Sequence, residues 1–262
     1  MKHNSFLTNI NIFYHSIMKV ELFIPCFVDQ LYPETAFSTI KLLEKAGCEV
    51  SYNPGQTCCG QPAYNAGYWE QAKETGNKFL NDFSGSDYIV APSASCVGMV
   101  KNGYNDLFTN SMVHNKCRTL QGNIFELSDF LINVLKKDYF GAELEGKAVY
   151  HDSCSGLREC KIKEEPRQLL HKVHGLEMLE MKDTDMCCGF GGTFAVKFDA
   201  ISSAMAEQKV NHALDQDADY IISTDLSCLM HLQGYIDKNN LSLKTMHLAD
   251  VLANGWLEST EY

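Results

Sequence analysis

Long apolar runs are missing from this sequence. Nothing approaches the roughly 20 residues that a membrane-crossing helix needs, so no span is expected. Positive charge is scarce too. The 22 Lys and Arg residues stand against 33 Asp and Glu, a net charge of −11, which leaves no basic stripe for nucleic acid or an anionic membrane. The opening segment MKHNSFLTNINIFYHSI is broken by Asn and His and has no small-residue cleavage site, so it does not read as a secretory signal. Residues 1–17 are expected to be a non-structural leader, with Met18 opening the first strand. Also absent is any pair of cysteines separated by two to four residues, the usual chelating unit of a zinc site.

What the chain does have is cysteine, eleven of them. Without an export signal the expected compartment is the reducing cytoplasm, where such clusters mean metal or catalysis more often than disulfides. Eight fall into two sets of one form: Cys26, Cys58-Cys59-Gly60, Cys96, then Cys154, Cys187-Cys188-Gly189, Cys228. The offsets between the sets are 128 at the first cysteine, 129 at the doublet and 132 at the last. Neighbouring segments repeat with them. VELFIPC answers AVYHDSC, SDYIVAPSASC answers ADYIISTDLSC, and FELSDFLINV answers MHLADVLANG. A duplication explains this pattern. Cys48, Cys117 and Cys160 have no counterparts and are excluded from the site. Cys117 lies in Phe108–Gly122, where the first half carries extra residues that read as a surface excursion.

Each half alternates short apolar runs with helical patterns. The first has a strand at Val20–Ile24, a helix at Thr35–Ala46 stopped by Gly47, a strand at Glu49–Tyr52, a helix at Trp69–Phe83 and a strand at Tyr88–Ala91. The second repeats this at Lys147–Tyr150, Pro166–Val173, Glu177–Met181, Ala200–Leu214 and Tyr220–Ser223. The fold class is therefore α/β: two similar Rossmann-like βαβ halves with mainly parallel strands, related by a pseudo-twofold duplication. Domains are expected at 18–140 and 146–262, on either side of the charged, glycine-containing Lys136–Gly146. Every repeated cysteine then falls just past the carboxyl end of a strand, the edge where such sheets bind ligands.

In an extended segment adjacent side chains point to opposite faces, so placing both sulfurs of a doublet on one ion strains the loop. An iron–sulfur cluster offers several irons, and a turn permitted by Gly60 or Gly189 can aim neighbouring thiolates at different ones. A non-redox zinc- or iron-binding adaptor remains the alternative. Gly189-Phe190-Gly191-Gly192 lacks the spacing of a dinucleotide fingerprint, Glu207 sits inside the following helix, and the first half carries Pro62 there, with no N–H for a phosphate.

The stretches IPCFVDQLYP, CCGQPAYNAG, HDSCSGLRE and CCGFGGTFAVK resemble the cysteine-rich CCG domain, which occurs in tandem in heterodisulfide reductase and in other iron–sulfur oxidoreductases. From Met18 onward the chain most resembles the lactate-utilisation A family, part of a three-component L-lactate dehydrogenase complex of bacteria. The resemblance implies one or two iron–sulfur clusters, of [4Fe–4S] type, held by Cys26, Cys58, Cys59 and Cys96 and by Cys154, Cys187, Cys188 and Cys228. It also implies electron transfer during oxidation of lactate to pyruvate, with a ferredoxin-like iron–sulfur protein and a smaller third component as partner subunits. No flavin or nicotinamide motif is present, so the carbon chemistry falls to a partner. An oxidoreductase component handling a heterodisulfide, glycolate or glycerol 3-phosphate is the neighbouring reading.

One departure from heterodisulfide reductase stands out. There the last motif of each set is Cys-x-x-Cys, whereas this chain has Met99 and His231 at the final position, so four thiolates per set are the simpler expectation. His231 is a possible extra ligand. The second half also replaces Phe23 and Ile24 of the first with His151 and Asp152. With Arg158 these are the candidate catalytic residues: His151 for proton transfer, Arg158 for a carboxylate. The plain alternative for His151-Asp152 is a solvated strand end, and Lys161–Glu165 reads as a solvated face.

Overall fold

Strands of apolar residues bounded by turns and joined through helices give parallel pairing, because each crossover helix must pack back onto the sheet. The computed structural model, which describes residues 17–109 and 111–256, contains two such sheets. The first holds β1 (Met18–Leu22), β2 (Cys48–Tyr52), β3 (Ile89–Ala91) and β4 (Ile124–Glu126) in the order β2-β1-β3-β4. The second holds β5 (Glu143–Tyr150), β6 (His174–Leu179), β7 (Tyr220–Ser223) and β8 (Lys244–His247) in the order β6-β5-β7-β8. All pairings are parallel. The expected α/β duplication is thus the observed fold. Apart from Ile17, the expected leader lies outside the described residues.

The two sheets agree in register. Leu22 pairs with Val90 and Tyr150 with Ile222. One residue on, the Phe23 N–H donates to Val90 O at 2.9 Å and the His151 N–H to Ile222 O at 2.8 Å. Phe23 and His151 therefore occupy one structural position. The central strands β3 and β7 are nearly pure apolar runs, as strands covered on both faces must be.

One apolar core crosses between the halves, with Val20, Leu42 and Phe130 from the first and Val149, Ile221 and Leu248 from the second. A second cluster belongs to the first half and is built on aromatic rings. Phe23 meets Phe79 edge-on at 4.8 Å, and Tyr104 meets Phe108 at 5.3 Å. The Thr35 hydroxyl donates to Asp250 Oδ2 at 2.7 Å and ties the halves on another side.

Several expectations are corrected. The supposed surface excursion is a helix, Ser111–Asn123, whose Cys117 and Leu120 are buried in the aromatic cluster together with Phe108. Gly76 makes room for it, since a Cβ there would lie 2.9 Å from the Phe108 ring. β5 starts at Glu143 rather than Lys147, and β6 runs two to three residues earlier than the pattern indicates. In the connection between the halves, Phe140 and Ala142 are buried. β4 and β8 are strands that the periodicity does not announce.

Candidate metal centre

Each repeated cysteine is delivered by the segment after a strand. Cys26 opens the helix Cys26–Leu31 behind β1, the doublet Cys58-Cys59 follows β2, and Cys96 sits in the helix Ala94–Gly98 behind β3. Cys154, Cys187-Cys188 and Cys228 stand in the same places behind β5, β6 and β7. A π-turn follows the last cysteine of the first set (Met99–Gly103) and the first cysteine of the second (Ser155–Glu159), a distortion common at functional sites. All eight line a single cavity of about 550 Å³ between the halves. Phe27 and Phe190 meet edge-on across it at 5.8 Å. Asp225 latches it, accepting from the Ser95 N–H at 3.0 Å and the Ser95 hydroxyl at 2.8 Å.

The glycine after each doublet lies at positive φ, +89° at Gly60 and +95° at Gly189, which turns its N–H back toward the thiol two residues earlier. The Gly60 N–H donates to Cys58 Sγ at 3.3 Å, the Gly189 N–H to Cys187 Sγ at 3.4 Å, and the Phe190 N–H to Cys188 Sγ at 3.5 Å. Hydrogen bonding from the Cys26 thiol, 3.8 Å away, and from Cys59 pulls the Cys58 thiol down to about 3. Cys154 and Cys188 pull Cys187 down to about 2 in the same way. The donors themselves, Cys26, Cys59, Cys154 and Cys188, are pushed up by those bonds and by burial. Holding four thiolates this close requires cationic charge, so the donor chemistry fits a metal or an iron–sulfur cluster.

The other candidates separate. His151 is fully buried, and so is Asp152, so this is no solvated strand end. Burial and the nearby Lys209 push the His151 imidazole down to about 3, and neither ring nitrogen has a hydrogen-bond partner among the described residues. One of those nitrogens lies with the sulfurs of Cys188 and Cys228 inside a 4.8 Å span. Arg158 is exposed and does not line the cavity. The guanidinium that matters locally is Arg167, which carries no signal in the sequence. It grips Asp152 through two bonds of 2.9 Å and reaches Glu180 at 2.6 Å. His231 lies behind the Gly189 turn, where its Nε2 meets Ser202 Oγ at 3.1 Å. Met99 is buried in the aromatic cluster. Of the run Lys161–Glu165, Ile162 is buried and Glu165 accepts from Asn133 at 2.9 Å.

Two parallel α/β halves that turn eight cysteines onto one cavity define a tandem cysteine-rich metal- or cluster-binding protein. The family described as cysteine-rich domain (CCG) matches twice, at residues 20–101 and 148–233. Lactate utilization protein A 2 of Bacillus cereus (strain Q1) is 43% identical over 239 residues, 91% of this chain and 99% of that protein. Lactate utilization protein A of Geobacillus sp. (strain WCH70) is 42% identical over 236 residues, covering 90% and 99%. The chain belongs to the cysteine-rich domain family and, within it, to the lactate utilization protein A family. A crystal structure of a hypothetical protein from Helicobacter pylori shares the fold, with a TM-score of 0.57 at 14% identity over 92% of this chain. The match spans about half, 49%, of that longer chain. Among the described residues no helix is long and apolar enough to cross a membrane.

Proposed function

We propose that this chain is the electron-carrying iron–sulfur subunit of a bacterial complex that oxidises L-lactate to pyruvate in the cytoplasm. The observation that carries this reading is the convergence of two matching four-cysteine sets on one cavity, in a chain whose 43%-identical relatives bear the name lactate utilization protein A. Cys26, Cys58, Cys59 and Cys96 would hold one [4Fe–4S] cluster, and Cys154, Cys187, Cys188 and Cys228 a second. Such a cluster supplies reversible one-electron transfer when bound. Around it, the N–H groups of Gly60, Gly189 and Phe190 stabilise anionic sulfur, and the Asp225–Ser95 latch holds the two halves in register. We assign the carbon chemistry to partners, a ferredoxin-like iron–sulfur subunit and a smaller third one, and the two structural units to residues 18–140 and 146–262.

The test is to co-express the chain with its neighbouring gene products, purify anaerobically and follow lactate-dependent reduction of a one-electron dye. Activity that is present in the assembled complex and lost in a Cys59→Ser or Cys188→Ser chain that still assembles supports the reading. Dye reduction driven by glycolate, glycerol 3-phosphate or a dithiol but not by lactate would transfer the same chemistry to another oxidoreductase. Stoichiometric zinc without iron would replace it with the adaptor reading.

A further inference from the structure

His151 is a buried group for which the thiolate sets leave no role. Its side chain is wholly shielded from water, and among the described residues both ring nitrogens lack hydrogen-bond partners. An unsatisfied buried polar atom is destabilising, so a native chain keeps one where something else satisfies it. The ring is aimed at the second set, where one nitrogen and the sulfurs of Cys188 and Cys228 lie within 4.8 Å of one another. Other nearby polar groups are engaged elsewhere. The Lys209 ammonium donates to the carbonyls of Asp183 and Thr184, and Asp152 is held by Arg167. His231 has Ser202 as its partner. In the first half the same place holds Phe23, whose ring packs on Phe79 and Phe83 and offers no lone pair.

We propose that His151 is an additional iron ligand of the second set, a fifth donor that binds an iron already held by Cys188 or Cys228 and raises its coordination number by one. The two sites then differ in ligand chemistry: sulfur alone in the first, sulfur and nitrogen in the second. Coordination satisfies one of the two orphaned nitrogens. The inference rests on the cluster reading above. It gives the duplicated halves distinct redox characters, because a neutral imidazole and an anionic thiolate set different potentials on the iron they bind.

The full chain, purified anaerobically and loaded with ferrous iron and sulfide, is reduced and examined by pulsed EPR with and without 15N-labelled histidine. The expected result is a strong directly bonded nitrogen coupling that shifts with the label, persists in His231→Gln, and disappears in His151→Phe and His151→Cys. His151→Cys should keep wild-type iron and sulfide, since it retains a donor, and should lower the midpoint potential of one cluster while leaving the other unchanged. His151→Phe guards against a misreading of the cysteine variant, and the cysteine variant guards against poor folding of His151→Phe. A fully loaded wild-type chain without histidine coupling would overturn the assignment, as would coupling that survives in His151→Phe. Failure to take up iron and sulfide would instead sink the cluster reading and this inference with it, so the two failures are distinguishable.

Discussion

Phe23 and His151 occupy one position in two copies of the same sheet, and their surroundings have diverged with them. Around Phe23 the first half is dry and aromatic, with rings of Phe79 and Phe83 packed edge-on. Around His151 the second half is polar: Asp152 follows it, Arg167 clamps Asp152, and Glu180 clamps Arg167. At the 128-residue offset the first half has Ile24 and Thr39 where the second has Asp152 and Arg167. Topology and cysteine placement have been kept while the layer behind the first strand was rebuilt. The comparison teaches that the cysteine sets demand the fold, whereas the chemistry behind them is free to change.

The sharpest way to break the comparison is to cut the polar layer. Arg167→Thr leaves the buried Asp152 carboxylate without its partner and should destabilise the chain by about 3–5 kcal/mol, measured by denaturant unfolding. Asp152→Ile combined with Arg167→Thr installs the first-half residues together and should lose clearly less than Arg167→Thr alone. An equal or larger loss in the double variant would mean the two halves are not interchangeable at this layer.

The reverse exchange, Phe23→His, removes a ring that packs edge-on against Phe79 and Phe83. It should cost about 3 kcal/mol in the unloaded chain, measured by denaturant unfolding, from lost ring packing. A smaller effect follows at the doublet glycines. A Cβ on Gly189 would lie 2.6 Å from the Ser202 carbonyl, against 3.1 Å from the Ala72 carbonyl for Gly60. Both positions also have positive φ, so Gly189→Ala should cost about 2–4 kcal/mol and Gly60→Ala about 1–2 kcal/mol. Equal melting temperatures for the two variants would contradict this ranking.

The smallest effect separates the halves by sign. Glu126 and His247 end the fourth strands and cap the next turn, Glu126 Oε2 accepting from the Ser128 N–H at 2.8 Å and His247 Nδ1 from the Ala249 N–H at 3.1 Å. Burial pushes Glu126 up to about 8, so its stabilising effect is whole below about 4.5 and is lost as pH rises toward 8. Burial pushes His247 below its ordinary 6.5, so its contribution is whole above that value and is lost as pH falls below it. Melting temperature followed from pH 5 to 8 should show Glu126→Gln flattening the alkaline limb and His247→Asn the acid limb.

These particulars show what a single sequence exposes. The duplicated cysteines, the first three strands of each half and the parallel class are legible because spacing and periodicity are properties of the chain itself. Three things depend on partners remote in sequence and are not legible. Arg167 looks like one more charge on a helix until Asp152 and Glu180 come together around it. Phe108–Gly122 lacks a counterpart and so reads as an excursion, although Cys117 and Leu120 close the aromatic cluster. His151 stands out in the sequence, but its orphaned nitrogens and nearness to Cys188 and Cys228 emerge only when β5, β6 and β7 bring their loops to one edge.

The central claim, that each half holds its own cluster, is tested most directly by iron and acid-labile sulfide per chain. The measurement compares anaerobically prepared wild type, Cys59→Ser, Cys188→Ser and the double variant, with Cys48→Ser as control. About half the iron and sulfide should vanish with either single change, nearly all with both, and little with Cys48→Ser. Unchanged iron in Cys59→Ser, or a single change that empties both sets together, would contradict it.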